Sequence, residues 1–463
     1  MLDKYIDELK NEIIDSTCGL IQIPSVYSSE DQDKYPFGKY TVDALEYVLN
    51  LGKEFGFRTK NIDNKCGYVE FGEGEKLLGI IGHLDIVPVT DDWSYPPFNP
   101  KIINGKIYGR GTLDDKGPVI AALYAMKAIA DNYSLDKRVR LILGLDEERN
   151  WECINRYKQT EEMPDISFSP DANFPCIYSE KTISSVYLSQ DYSSSNDIII
   201  EEINTNNNAI NVVPKYCYCK LKINTFKLNL NDIMAFLNSE ISKNNFNIMV
   251  NCLDDTHIEL HSFGTAAHAA RPHLGKNAIS KLIIVLNELL KKHNIELELL
   301  EYFSKYIGDD YTGKDLKINF KDESGNLTLN TARFYLENNK LYIGINLRIP
   351  ISVNLDKLKF IFNNSKSKYK IDIEFTDYKK PLFIQKNNKL VQNLCKIFND
   401  YNNSNIEPEA IGGGTYARAF TNCVSFGPKM PGAEDMCHQV DEYISIDNLM
   451  FCTKVYARAI LEL

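Results

Sequence analysis

Three apolar runs, each ending in a histidine or an acid, constrain this chain more than any other feature. KLLGIIGHLDIV (76–87) reads as a buried strand that delivers His83 and Asp85, RVRLILGL (138–145) runs into Asp146, Glu147 and Glu148, and DISFSPD (165–171) stops at Asp171. Between the first two lies KGPVIAALYAMKAIADNY (116–133), a helix that tolerates Pro118 in its first turn. Strands alternating with helices predict an α/β domain with a central, largely parallel sheet. Ligand crevices in such sheets lie outside the carboxyl ends of the strands, where these polar residues fall.

The texture changes after about residue 182. KYCYCKLKINTF (215–226) alternates like a half-exposed strand, with Cys217 and Cys219 on one face. FNIMVNCLDDTHIELHSFG (246–264) and RFYLENNKLYIGINLRIP (333–350) read as hairpins turning at Asp254-Asp255 and Asn338-Asn339. NAISKLIIVLNELLKKH (277–293) carries an apolar helical stripe. CVSFGPKMPG (423–432) resumes the earlier style, and SIDNLMFCTKVYARAILEL (445–463) closes the chain as a helix with Ser445 at its N-cap. The expected organisation is one α/β domain in two parts, 1–181 and 385–463, interrupted by an α+β insertion over 182–384. The Asn-rich patches at 206–208, 363–364, 387–388 and 402–403 read as loops.

The net charge of −11 argues against binding to nucleic acid or an anionic membrane, which need a positive surface. No apolar run approaches the roughly 20 residues of a membrane helix. The opening MLDKYIDELKNEIIDS is charged throughout, so no secretory signal is expected. Eleven cysteines without a CxxC read as reduced, mostly buried thiols, which places the protein in the cytoplasm.

The strand-end residues suit a metal. His83 and Asp85, two apart on a strand, share a face, and a metal-binding imidazole commonly gives its other N–H to a carboxylate. Of the adjacent Glu147 and Glu148, one can ligate while its neighbour acts as a base. The turn YGRGTLDDKGP (108–118) adds Asp114 and Asp115, and PGAEDMCHQVDEYI (431–444) adds His438. Mixed imidazole and carboxylate ligands suit zinc, with manganese or cobalt as alternatives.

Taken together, GHLDIVP, YGRGTLDDKGP, LDEE, SPDANFP and MCHQVDEYI resemble the motifs of the di-zinc metallopeptidase superfamily of aminoacylases, carnosinases and glutamate carboxypeptidases. DDKGP, WSYPPF (93–98) and GGGTYAR (412–418) are most similar to the PepV-type Xaa-His dipeptidases. The resemblance implies a split di-metal catalytic domain with an inserted lid. It implies Asp114 bridging two metals, with His83 and Asp171 completing one site and Glu148 and His438 the other. Asp85 would support His83, Glu147 would be the general base toward a metal-bridging water, and the Asp114–Asp115 peptide would be cis. In the lid, TAAHAARP gives His268 for the oxyanion, NLRIP gives Arg348 for the substrate carboxylate, and NAINVVP gives Asn211 beside the reacting centre; Gly413 and Gly414 add backbone donors. Ala269, Leu145 and the NVVP wording depart from the commoner pattern without removing a ligand or the base.

The implied activity is hydrolysis of dipeptides with a free C-terminal carboxylate by a monomer. An N-acyl amino acid deacylase is the near alternative, and the length of the insertion favours the dipeptidase. A non-catalytic metal-binding protein has no use for Glu147.

Overall fold

The computed structural model describes residues 1–193, 197–205 and 209–463. Two compact units make up the chain: one combines Met1–Ser179, Leu382–Glu409 and Gly414–Leu463, the other Glu180–Pro381 with Ala410–Gly413.

Among the described residues, the first unit is organised by one nine-stranded sheet, eight strands of which we number β1 (Arg58–Ile62), β2 (Cys66–Gly72), β3 (Leu77–His83), β4 (Arg138–Gly144), β5 (Ile166–Ser169), β6 (Ile177–Glu180), β7 (Leu382–Phe383) and β8 (Cys423–Ser425). Their spatial order is β1-β2-β4-β3-β5-β8-β6-β7, and the ninth strand, Glu409–Ile411, pairs with β6 off this path. The parallel part is the central run β4-β3-β5-β8, and β1-β2-β4 and β8-β6 pair antiparallel. The sheet is therefore mixed, with its parallel strands where both faces are covered. All seven residues of β3 are buried, as its unbroken apolar run requires. The helix Lys116–Asn132 packs on β3 and against the closing helix Ile446–Glu462. Its residues are buried nearly all round from Lys116 to Ile129, so it reads as a core helix. Ser445 Oγ accepts the Asn448 N–H at 3.1 Å, the cap expected for the closing helix.

In the second unit, two four-stranded antiparallel sheets, Thr328–Glu337/Lys340–Ile349/Thr182–Asp191/Asp372–Lys379 and Ile198–Asn204/Tyr216–Ile223/His257–Phe263/Ile248–Cys252, share one apolar core with the helices. Cys217 and Cys219 both face that core. The hairpin at 338–339 holds both asparagines left-handed, φ 49° and 57°, which matches a two-residue turn to the twist of its strands.

The Asn-rich patches are not uniformly loops. Asn363 and Asn364 lie inside the helix Leu355–Ser365, where Leu358 and Phe362 bury the stripe that sets the period. Asn388 caps Lys389–Asn402 through the Leu390 N–H. The patch at 206–208 lies outside the described residues. Among the described residues no helix is long and apolar enough to cross a membrane.

Candidate metal centre

β4, β3 and β5 are parallel neighbours in register, His83 opposite Gly144 and Ile80 opposite Phe168. Their carboxyl ends therefore open on one edge and collect His83, the 145–148 turn and Asp171 at a common place. The 108–118 turn brings Asp114 to that edge at the start of the core helix. Its Asp114–Asp115 peptide is cis. His438 arrives from the far end of the chain on a left-handed residue, φ 65°.

Two groups result. His83, Asp114 and Asp171 form one, Asp114, Glu148 and His438 the other, and in each the ligand atoms lie within 4.8 Å of one another. Asp114 belongs to both and divides its oxygens between them. Its Oδ1 is 3.0 Å from His83 Nε2, and its Oδ2 is 3.2 Å from His438 Nε2. Asp171 Oδ2 stands 3.8 Å from His83 Nε2, and Glu148 Oε1 2.9 Å from His438 Nε2.

Burial and the close pairing of acids with imidazoles shift the titration of the set. Burial alone would raise Asp114, but the hydrogen bonds to His438 and His83 outweigh it and hold its carboxyl well below the usual range. Burial lifts Asp171 well above that range, and the neighbouring Asp114 charge adds to the rise. Burial works against an imidazolium at His83, yet Asp114 and Asp85 raise it strongly. Three carboxylates facing two imidazoles supply the mixed oxygen and nitrogen donors that borderline divalent ions take. The residues present fit such ions.

Glu147 is 8% exposed and is set by its main chain. Asp85 Oδ1 accepts the Glu147 N–H and Oδ2 the Glu148 N–H, both at 3.0 Å. One carboxylate thus fixes base candidate and ligand candidate together. His83 Nδ1 meets Asp85 through the backbone carbonyl at 3.0 Å, with the carboxylate Oδ1 at 3.5 Å. The Trp151 indole N–H bonds the Glu147 carbonyl at 2.6 Å and ties down the same turn.

Asp115 and Lys116 shape the turn. Asp115 Oδ2 accepts the His83 N–H at 3.2 Å. Gly82 leaves room for it, since a Cβ there would stand 2.6 Å from that oxygen. The buried Lys116 ammonium bonds the Ile23 carbonyl at 2.6 Å. Trp93 lies under the Arg110 guanidinium, 5.0 Å from its ring centre.

Within the second unit, Asn211 and His268 are paired by their main chains. The Ala269 N–H bonds the Asn211 carbonyl at 2.7 Å, and Val212 bridges His268. The His268 side chain is exposed. Arg348 is 4% exposed, and its Nε and Nη1 donate to Asn346 Oδ1 at 2.8 Å and the Gly412 carbonyl at 2.9 Å. Gly413 follows in that unit, and Gly414 begins the last segment of the first.

The family model described as "Peptidase family M20/M25/M40" matches residues 79–462. The chain belongs to this peptidase family. Its M20 relatives span its full length. "Putative dipeptidase YtjP" of Bacillus subtilis is 35% identical over 463 residues, covering 98% of this chain and 97% of that one. "Putative dipeptidase SH1171" of Staphylococcus haemolyticus is 33% identical over 473 residues, covering 100% and 99%. Among solved structures, human carnosine dipeptidase 1 superposes with a TM-score of 0.59 at 15% identity, covering 100% of this chain and 98% of that one. The di-peptidase Dug1p of Saccharomyces cerevisiae gives 0.59 at 14%, covering 99% and 97%. At these identities the superpositions show the M20 fold. The chain is thus a hydrolase of the peptidase class.

One residue beside the candidate ligands carries no sequence motif of its own. Glu442, in the quoted MCHQVDEYI, is fully buried and accepts hydrogen bonds from the turn that carries Asp114. Its one signal was an acid four residues beyond His438.

Proposed function

We propose that this protein is a metal-dependent dipeptidase acting on dipeptides with a free C-terminal carboxylate. The observation that carries the reading is Asp114, whose two oxygens face two separate ligand groups beside Glu147. The dipeptidase names of full-length relatives support the substrate class.

His83, Asp114 and Asp171 would hold one divalent ion and Asp114, Glu148 and His438 the other, with zinc suiting the donors and manganese or cobalt as alternatives. Bound there, such ions supply Lewis-acid polarisation of the scissile carbonyl and a more acidic water. Glu147 takes the proton of the attacking water and returns one to the leaving amine nitrogen, a task for a buried carboxylate within hydrogen-bond reach. The 180–381 unit acts as a lid that supplies the rest. His268 donates to the developing oxyanion, and Asn211 and the Gly413 and Gly414 N–H groups bind the substrate. Arg348, already oriented by Asn346 and Gly412, offers its planar fork to the substrate carboxylate. A monomer with reduced thiols working in the cytoplasm completes the reading.

The test is a panel of dipeptides beside N-acetyl amino acids, with metal-loaded protein. Cleavage of the dipeptides is expected; exclusive cleavage of the acetylated set would make the protein a deacylase.

A further inference from the structure

The segment that follows His438 is bound into the rest of the unit residue by residue. Asp441 Oδ1 accepts the Ser94 N–H at 2.8 Å. Tyr443–Ser445 pairs antiparallel with Lys106–Tyr108, and the ladder ends where the Gly109 N–H bonds the Glu442 carbonyl at 2.9 Å. At that point the Glu442 side chain turns into the 109–114 turn.

There it meets only donors. Oε1 accepts the N–H groups of Leu113 at 2.8 Å, Gly111 at 3.1 Å and Asp114 at 3.2 Å. Oε2 shares the Gly111 N–H at 3.1 Å and pairs with Arg110 Nη1 at 2.8 Å. Glu442 has no exposed surface and Arg110 is 3% exposed. A buried acid is costly unless its lone pairs are filled, and here every contact that fills them comes from the turn ending at Asp114.

We propose that Glu442 is a positioning residue: by gathering the 111–114 N–H groups it fixes Asp114 so that one oxygen faces each ligand group. It also links two ligands, since the segment that presents His438 thereby fixes Asp114 as well. Asp85 plays the matching part for Glu147 and Glu148. The proposal rests on Asp114 being a metal ligand.

The substitution that isolates the effect is Glu442→Gln. The amide keeps the size but places N–H donors where the turn presents N–H donors. Apoprotein of wild type and E442Q is compared by circular dichroism and thermal melting, and zinc affinity is measured by competition with a chromogenic chelator. The expected result is a folded variant whose affinity falls roughly 10–100-fold, the range for losing a group that orients a ligand. Excess zinc should then restore most of kcat, which a merely structural defect would not allow. Glu442→Asp, which keeps the charge but not the reach, should weaken binding too and serves if E442Q does not fold. Unchanged zinc affinity in either folded variant overturns the proposal. So does failure of both to fold, since Glu442 would then hold the fold rather than the site. A wild type that binds no metal would instead remove the ligand reading itself.

Discussion

His438 Nε2 stands 3.2 Å from Asp114 Oδ2, although the two residues come from opposite parts of the chain. The contact makes Asp114 the shared member of two ligand groups and ties the C-terminal segment to the turn before the core helix. It also orders the expected effects of substitutions.

Asp114→Ala removes an oxygen from both groups, whereas Asp171→Ala removes one from the first alone. Metal analysis after loading and desalting should give less than one ion per chain for D114A and about one for D171A. Equal losses would mean that Asp114 is not shared.

Glu147 contributes to neither ligand group. Glu147→Ala should therefore keep its metal content and near-normal KM while kcat falls by about 10²–10⁴, the usual worth of a positioned acid–base group. Steady-state kinetics with metal analysis checks this, and wild-type turnover would refute the base assignment.

Asp85 holds the Glu147 and Glu148 N–H groups with its two oxygens. Asp85→Asn leaves one of those buried donors facing an amide N–H. A loss of about 1–3 kcal/mol in stability is expected from that mismatch, read as a lower melting temperature of the apoprotein, together with weaker metal binding. A variant as stable as wild type would contradict the geometry.

Buried thiols set an alkaline limit. Burial pushes Cys66 and Cys452 up to about 12. A folded value above the unfolded one means that their stabilising contribution is complete below the ordinary thiol range and is lost as pH rises from there through about 12. Each such group costs about 1.4 kcal/mol per pH unit in that window. Thermal melts between pH 8 and 11 should fall, and less steeply for Cys66→Ala. The exposed Cys252 should take up iodoacetamide in the native state, while Cys66 stays protected until unfolding.

Much of this was legible in the sequence because apolar runs that stop at polar residues mark strand ends. His83, Glu147 and Asp171 are candidates on that ground. Asp114 and His438 sit in loops, where periodicity is silent, and only the resemblance gave them roles. Glu442 stayed invisible because its function lies in long-range contacts to 110–114 that no local pattern encodes. The same holds for the sheet order: β8 lies beside β5 through pairings of Cys423–Ser425 with Ser167–Ser169. Asn363 and Asn364 read as a loop by residue type, but the burial of Leu358 and Phe362 sets a helix there.

The most direct test titrates zinc into chelator-stripped protein while following hydrolysis of a dipeptide with a free carboxylate. Activity should be absent at the start, rise with added zinc and level off near two ions per chain. Full activity in the stripped protein, or no dipeptide cleavage at saturation with any of zinc, manganese or cobalt, would contradict the account.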